Sequence, residues 1–269
     1  MVTKTLFDKE AMKTSNEDRY LEGTEFKWLF TLYSFDRDLR SLTFSYLDKA
    51  KAIMKNAVTY AFCEKRPDPE AYLDRSVYVD AQNMLFPKSF SGNKRRIHQR
   101  NLDKLIEALS KKRYESPKSF IKHYSIEYDF VPLWVLQKNL TFGNIYHFYQ
   151  LQTRSIQNAT CKKILEATNK NLRKNYLTPQ KLLHAFSVLV DYRNLCAHGE
   201  RLYCAKVGRS QDIPFSKLAS NLRLVLPETE YREFLVKIIN LFDAYGSSLH
   251  VVTNESLLCD MGFEIAGEA

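Results

Sequence analysis

Glycine and proline, the residues that most often interrupt regular structure, are scarce in this chain: there are 8 of each among 269 residues. Sandwiches and barrels are built from many short strands, and the turns between those strands draw heavily on these two residues. Their scarcity argues against an all-β fold and favours long helices. Hydrophobic residues make up 45% of the chain, which is enough for a sizeable core.

Paired cysteines and long apolar runs are also missing. The 5 cysteines form no CxxC pair, and such a scattered, odd-numbered set fits reduced thiols better than disulfides or a zinc site. No apolar run reaches the roughly 18–20 residues of a membrane span, and the N-terminal stretch lacks the apolar core of a signal peptide. We therefore expect a cytoplasmic protein without a membrane partner. The P-loop, GxGxxG, HExxH and GxSxG motifs are absent too, so we expect no metal and no organic cofactor.

Apolar residues recur at helical spacing along most of the chain, and no stretch shows a convincing strand alternation. The pattern predicts an all-α fold, a helical bundle with additional helices. Without a linker or repeat, we expect a single domain over 1–269 with a basic helical insertion around 91–125. Helices are predicted over 24–39, 42–64, 95–113, 131–138, 141–152 and within 227–250, with further helices opening at the Ser116–Pro117 and Thr178–Pro179 pairs.

Positive charge is abundant and clustered. Lysine and arginine outnumber the acids by 40 to 31, and residues 91–122 alone hold ten of these basic residues against three acids. Clustered positive charge attracts phosphate backbones, although a solvated basic face without a partner would look the same. The predicted RNA-binding residues are Lys94, Arg95, Arg96, Arg100, Lys104, Lys111, Lys112 and Arg113.

The stretch "DYRNLCAHGERLY", residues 191–203, places charged residues at the end of a long apolar run. On a continuous helix Arg193 and His198 would lie about 140° apart. Gly199 is able to end the helix in the left-handed conformation. Either the chain turns His198 back toward Arg193, or two copies of the chain bring the residues together at a two-fold axis. The alternative is an ordinary capped helix end, because chance alone predicts about one case of an arginine followed by a histidine after four to six residues in such a chain.

Several stretches together resemble the abortive-infection (Abi) family of HEPN-type ribonucleases. "RNLCAHGERLY", residues 193–203, is similar to that family's signature. Residues 132–149 resemble its central block of proline, leucine, tryptophan and phenylalanine-glycine, residues 35–62 resemble its first long helical block, and "MGFE", residues 261–264, is also similar. The chain departs from the family pattern at Asp48, Gln137 and Cys204.

The resemblance implies a HEPN-type bundle that cleaves RNA without a metal, as a toxin of bacterial phage defence. RNA carries its own nucleophile, the 2′-hydroxyl, and a histidine with an ordinary pKa of about 6.5 exchanges protons near neutrality. His198 would transfer the proton, Arg193 would hold the phosphate, and Asn194 would orient both. The resemblance further implies a homodimer with a composite site and a structured noncoding RNA partner that restrains the activity.

Other residues are weaker candidates. Asp48 and Lys51 are expected beside the motif, pairing with Arg193, or else as a surface pair. Arg201 and Tyr203 are candidates for RNA contact just past the turn. A core position is favoured for His184, and for Trp28 and Trp134 core positions are favoured over a role as base-stacking platforms. Two other functions stay open: an RNA-binding helical protein without cleavage, and a regulatory protein that acts through dimer contacts alone.

Overall fold

A computed structural model describes residues 25–86, 92–170, 177–246, 248–249 and 254–264. These residues form ten α-helices and no strand, and their one β-bridge pairs Val207 with Ile213. The all-α prediction is confirmed. The helices are α1 (Phe26–Lys65), α2 (Lys94–Tyr114), α3 (Ser119–Tyr128), α4 (Leu133–Leu136), α5 (Phe142–Gln150), α6 (Arg154–Ala167), α7 (Pro179–His198), α8 (Phe215–Val225), α9 (Glu228–Gly246) and α10 (Asn254–Asp260).

Helix α1 is continuous over 40 residues, so the predicted division into 24–39 and 42–64 is wrong. Within the helix, Arg40 forms an ion pair with Asp36, one turn earlier, and both side chains are largely buried. No glycine or proline interrupts the helix, and it ends shortly before Pro67, as expected from the restricted conformation before a proline.

The chain groups into two compact units. Unit 1 comprises the residues up to 48 together with 191–223 and those from 228 onward, and unit 2 comprises 49–190 and 224–227. Helices α1 and α7 each contribute residues to both units. The prediction of one domain over 1–269 stays a prediction.

The core of unit 1 is rich in aromatic rings. Phe35 of α1 packs against Phe242 of α9, with 5.2 Å between the ring centroids. Further along α1, Tyr46 packs against Phe234, with 5.0 Å between the ring centroids. All four side chains are buried, and together they fix α9 against the first part of α1. Aromatic pairs in these tilted arrangements stabilise a core beyond their buried area, by about 0.5–1.5 kcal/mol each.

Unit 2 has its own aromatic core. Phe62 of α1 packs against Phe148 of α5 with 5.0 Å between the centroids, and Tyr149 lies against Phe186 of α7 at 5.2 Å. The start of α7 is capped as predicted, since Thr178 Oγ1 accepts a hydrogen bond from the Lys181 N–H at 3.1 Å. In the described part of the chain, no helix has the length and apolar character that a membrane crossing needs.

Three local predictions were wrong. The helix after Pro117 begins at Ser119 without a side-chain cap, and Ser116 is instead a buried residue that accepts a hydrogen bond from the Asn139 side-chain amide at 2.9 Å. His184 is exposed, because it falls on the outer side of α7. Trp134 is half exposed.

Candidate active site and basic surface

Helix α7 ends in a Schellman motif. The Glu200 N–H donates to the Leu195 carbonyl at 3.1 Å, and the Gly199 N–H donates to the Cys196 carbonyl at 3.4 Å. Gly199 has a φ of 71°, the left-handed conformation that glycine adopts without steric cost. The predicted end of the helix is confirmed, and His198 is its last residue.

The polar residues of the motif lie on the surface of unit 1. Asn194, His198 and Arg201 are exposed, and Arg193 is half-buried. Since α7 is helical through His198, the side chains of Arg193 and His198 leave the helix about 140° apart and about 7.5 Å apart along its axis. Within one chain the helix therefore directs these two side chains to different faces.

Arg193 rests on an aromatic ring. Its guanidinium carbon lies 5.7 Å from the centroid of the Phe44 ring, within the range of a cation–π contact. Its Nη1 also donates to the Asn194 side-chain oxygen over a long 3.5 Å. A cation–π contact does not use up the N–H groups of a guanidinium. Arg193 is therefore able to bind an anion while it stays in contact with Phe44.

A buried carboxylate holds the turn that follows α7. Asp36 Oδ1 accepts hydrogen bonds from the N–H groups of Leu202 at 2.8 Å and Tyr203 at 2.9 Å. Its Oδ2 pairs with Arg40, and Arg40 also donates to the Glu200 carbonyl at 3.3 Å. Burial raises the pKa of Asp36 above its ordinary value, against the lowering effect of these backbone N–H groups and of the nearby arginines.

Asp36 and Arg40 were not among the residues predicted from the sequence. The available signal was their i,i+4 spacing within the otherwise apolar pattern of α1, because a carboxylate and an arginine one turn apart are able to satisfy each other in a buried position. The contact between Asp36 and the Leu202 N–H could not be predicted from local sequence, because the two residues are 166 positions apart in the chain.

Two residues of α7 just before the motif also fix the turn. The Tyr192 hydroxyl lies within hydrogen-bonding distance of the Ala205 carbonyl, at 3.1 Å, and of the Ile213 carbonyl, at 2.9 Å. Asp191 accepts a hydrogen bond from the backbone N–H of Gly208. Asp191 and Tyr192 thus hold the chain that follows the turn, which makes the exposed motif part of a well-fixed surface.

Cys196 lies inside the motif, and its environment argues against a nucleophilic role. Burial raises the pKa of its thiol to about 12. A thiolate, and not a thiol, is the attacking form in cysteine chemistry. Cys196 therefore stays protonated at neutral pH, and the chemistry of this surface depends on the polar side chains around it.

The supporting residues differ in position. Arg201 is exposed, whereas the side chain of Tyr203 is only 1% exposed, so Tyr203 belongs to the core and only Arg201 of this pair presents its side chain to solvent. Asp48 is exposed and Lys51 half-buried on α1. The predicted pairing of these two residues with Arg193 stays a prediction.

The basic segment forms an amphipathic helix, α2. Asn93 caps it by accepting a hydrogen bond from the Arg96 N–H at 3.0 Å. One face carries the exposed basic row of Arg96, Arg100, Lys104 and Lys111, which falls within about 80° around the axis and extends over about 22 Å. The opposite face is buried through Leu102, Leu105 and Leu109.

Arg113 differs from the rest of the predicted RNA-binding set and is a correction to it. Its side chain is 7% exposed and pairs with Glu70, because Arg113 follows Leu109 by one helical turn and so falls on the buried face. It donates further hydrogen bonds to the Ser125 hydroxyl at 2.8 Å and to the Asp129 carbonyl at 3.2 Å. Lys94, Arg95, Arg96, Arg100, Lys104 and Lys111 are exposed, and Lys112 is half-buried.

Comparison with known proteins gives one match. The sequence profile of the family described as Abi-like protein matches residues 5–204. The chain matches no curated protein and no solved structure. The matched range contains α1 to α7 and the turn that Asp36 holds. No group of three or more His, Cys, Asp or Glu side chains is placed to hold a metal ion among the described residues.

Proposed function

The chain belongs to the Abi-like protein family, and we propose that it is a toxin-like, metal-independent endoribonuclease of bacterial abortive-infection phage defence. The observation that carries the proposal is the end of α7, where an exposed histidine closes a Schellman-capped helix and a buried carboxylate fixes the following turn. A fixed but solvent-accessible proton-transfer group is what cleavage of a polymeric substrate requires.

The proposed reaction uses the 2′-hydroxyl of the RNA as the nucleophile. His198 takes the proton from this hydroxyl while the O2′–phosphorus bond forms and the bond from phosphorus to the 5′-oxygen breaks. The departing 5′-oxygen takes up a proton from solvent, and His198 afterwards releases its own proton to solvent. The products are a 2′,3′-cyclic phosphate and a free 5′-hydroxyl. Arg193 stabilises the charge that develops on the non-bridging oxygens, and Asn194 positions its guanidinium.

The proposed site is completed by a second copy of the chain. Within one chain, Arg193 and His198 leave α7 about 140° apart, so one chain does not direct both onto a single phosphate. Two copies related by a two-fold axis at the exposed end of α7 would place Arg193 of one chain opposite His198 of the partner subunit. The proposal is therefore a homodimer with a composite site.

Cleavage without a metal is the direct test of the proposed function. Purified protein is expected to cut single-stranded RNA in EDTA and to leave 2′,3′-cyclic phosphate ends. A substrate with a single 2′-deoxy nucleotide at the cut position should resist, because it lacks the nucleophile, while its other bonds are cut normally. Cleavage of the deoxy position at the normal rate, analysed by gel electrophoresis and end-group chemistry, would contradict the mechanism.

RNA binding is proposed to depend on the exposed row of α2. Replacing Arg96, Arg100 and Lys104 with glutamate should weaken RNA binding by more than about tenfold. It should also lower the slope of log affinity against log salt concentration by about 2, since each of the three lost phosphate contacts on a single strand removes about 0.7 from that slope. Filter binding over a range of salt concentrations measures both quantities.

A matched control reverses the same amount of charge elsewhere. Lys217, Arg232 and Lys237 are exposed residues of unit 1 outside the motif. Replacing these three with glutamate should leave the salt slope nearly unchanged. Equal losses in the two triple variants would mean that net charge, and not the row on α2, governs the affinity.

A second candidate function is an RNA-binding helical protein without cleavage, held by a structured noncoding RNA. The basic row on α2 favours it, because that row does not depend on the motif of α7. Intact RNA after incubation with the wild-type protein, together with tight binding that the α2 substitutions abolish, would select this second function.

A further inference from the structure

Helix α3 and the segment that follows it expose an unusual number of aromatic side chains. Tyr128 is 54% exposed and Trp134 50% exposed. These residues form one connected group, which we call the ring cluster. The ring cluster consists of His123, Tyr124, Tyr128, Phe130 and Trp134.

The rings contact each other without stacking in parallel. Tyr124 and Trp134 meet edge-to-face, with 5.6 Å between the centroids and 90° between the planes. Tyr124 and Tyr128 are tilted by 39° at 5.3 Å, and Tyr128 and Phe130 by 40° at 6.1 Å. Together with the half-exposed state of Tyr128 and Trp134, this arrangement leaves part of the ring surface accessible to a ligand.

The backbone beneath the ring cluster is fixed from below by Arg113. Its guanidinium donates to Ser125 of α3 and to the Asp129 carbonyl at the end of that helix. Its partner Glu70 accepts a hydrogen bond from the Val131 N–H at 3.0 Å. The buried ion pair therefore ties the ring-bearing segment to the last turn of α2. Rings held on a fixed backbone lose little conformational freedom when a ligand binds.

Exposed lysines lie in the same part of the chain. Lys118 directly precedes α3, Lys122 lies within it, and Lys111 ends the row on α2. Two acids of this stretch, Glu127 and Asp129, are exposed as well. Rings beside lysines match single-stranded RNA, whose bases stack on aromatic faces while its phosphates lie near cations.

We propose that the ring cluster is a stacking platform for the unpaired bases of single-stranded RNA, continuing the basic row of α2. The inference rests on the proposed function and adds to it the form of the substrate. Stacking between neighbouring base pairs hides the flat faces of the bases inside a duplex. The platform therefore selects single strands, loops and ends over duplex RNA, whereas the row on α2 recognises only charge.

The test combines an affinity measurement with a local optical signal. The chain has 2 tryptophans, so Trp28→Phe leaves Trp134 as the only one. His198→Ala in the same protein prevents cleavage of the RNA oligonucleotide that serves as the probe. A 12-nucleotide single-stranded oligoadenylate should quench the fluorescence of Trp134 on binding, and a duplex of the same length should not.

Removing the rings should weaken the affinity without changing its salt slope. In the protein that retains Trp28, Tyr128→Ala combined with Trp134→Ala should reduce oligoadenylate binding about 10- to 100-fold, the loss expected for one or two stacked bases. The salt slope should stay constant because no phosphate contact is lost. Tyr128→Phe with Trp134→Phe should restore most of the affinity. The matched control is Phe30→Ala with Tyr33→Ala, a second pair of exposed aromatics, which should bind as the parent does.

The outcomes separate this proposal from the proposed function. Quenching of Trp134 by an oligonucleotide that the wild-type protein leaves uncut supports the platform and overturns the nuclease. Normal cleavage with no quenching, and with unchanged affinity in the double alanine variant, overturns the platform alone. Unchanged RNA affinity with an altered sedimentation coefficient also overturns it, because the rings would then serve contacts between protein chains.

Discussion

Replacing His198 with alanine is expected to abolish RNA cleavage while leaving the fold and RNA affinity nearly unchanged. The side chain is exposed at the end of α7, so its removal should change the free energy of unfolding by less than about 0.5 kcal/mol. Loss of a positioned proton-transfer group should lower the cleavage rate by about 10²–10⁴-fold. Single-turnover kinetics measures the rate, and filter binding measures the affinity.

Arg193→Ala should cause a similar loss, and the double variant should be no slower than either single variant, because the two residues act on one transition state. Exposed Lys206, in the same turn, provides the control, and Lys206→Ala should cleave normally. Cleavage by purified His198→Ala at the wild-type rate would remove the nuclease from consideration and leave the RNA-binding protein.

Mixing the two inactive variants tests whether the site is composite. If Arg193 and His198 act across a two-fold axis, co-refolded Arg193→Ala and His198→Ala chains recover about a quarter of the wild-type activity, because half of the dimers are mixed and each mixed dimer has one of its two pairings intact. If the residues act within one chain, mixing restores nothing. A monomer in sedimentation that still cleaves RNA would exclude the composite arrangement.

Replacing Asp36 with alanine is expected to have the second large effect, on both stability and cleavage. The substitution leaves Arg40 without its buried partner and the N–H groups of Leu202 and Tyr203 without their acceptor. Breaking a buried ion pair on one side costs about 3–5 kcal/mol, which urea denaturation should detect. Cleavage should fall as well, because the turn behind His198 loses its anchor, although Asp36 itself lies in the interior.

A conservative variant separates positioning from simple destabilisation. Asp36→Asn keeps an oxygen that is able to accept from both N–H groups, so it should retain more cleavage activity than the alanine variant at equal folded fraction. Glu64 is on the same helix as Asp36 and forms a partly exposed ion pair with Lys163 of α6. Glu64→Ala should lower stability by no more than about 1 kcal/mol and leave cleavage intact. Equal activity of the two Asp36 variants would show that the turn needs no anchor.

The raised pKa of Asp36 predicts a pH dependence as well. Burial raises this pKa above its ordinary value, so the folded protein binds the proton more tightly than the unfolded chain, which titrates near about pH 4. The resulting contribution to stability is fully present below that pH and is lost as the pH rises through the folded pKa. The difference in stability between wild type and Asp36→Asn should follow this curve, and a flat difference would exclude it.

The sequence predicted those features that depend on local patterns. The end of α7 followed from Gly199 after a polar turn, and the cap at Thr178 followed from its position before Pro179. The position of Arg113 could also have been predicted, because the apolar stripe of α2 continues through its place one turn after Leu109. The prediction treated all basic residues of α2 as one exposed group and did not consider on which face of the helix each of them falls.

The features that escaped prediction depend on distant contacts. The role of Asp36 requires N–H groups that are 166 and 167 residues further along the chain. The exposure of Trp134 depends on how the four-residue helix α4 follows α3, and tryptophan is buried too often in general for its type alone to indicate this. Composition and spacing carry no information on either point.

The division of the chain has a consequence for the order of synthesis. Nearly all of unit 2 is one continuous stretch, 49–190, whereas unit 1 needs residues from both sides of that stretch. Compact units of a chain fold largely as they leave the ribosome, N-terminal parts first. A nascent chain that ends before Leu202 already carries the basic helix but lacks the groups that Asp36 binds. Synthesis of the chain therefore completes the basic helix of unit 2 well before it supplies the groups that anchor the turn behind His198.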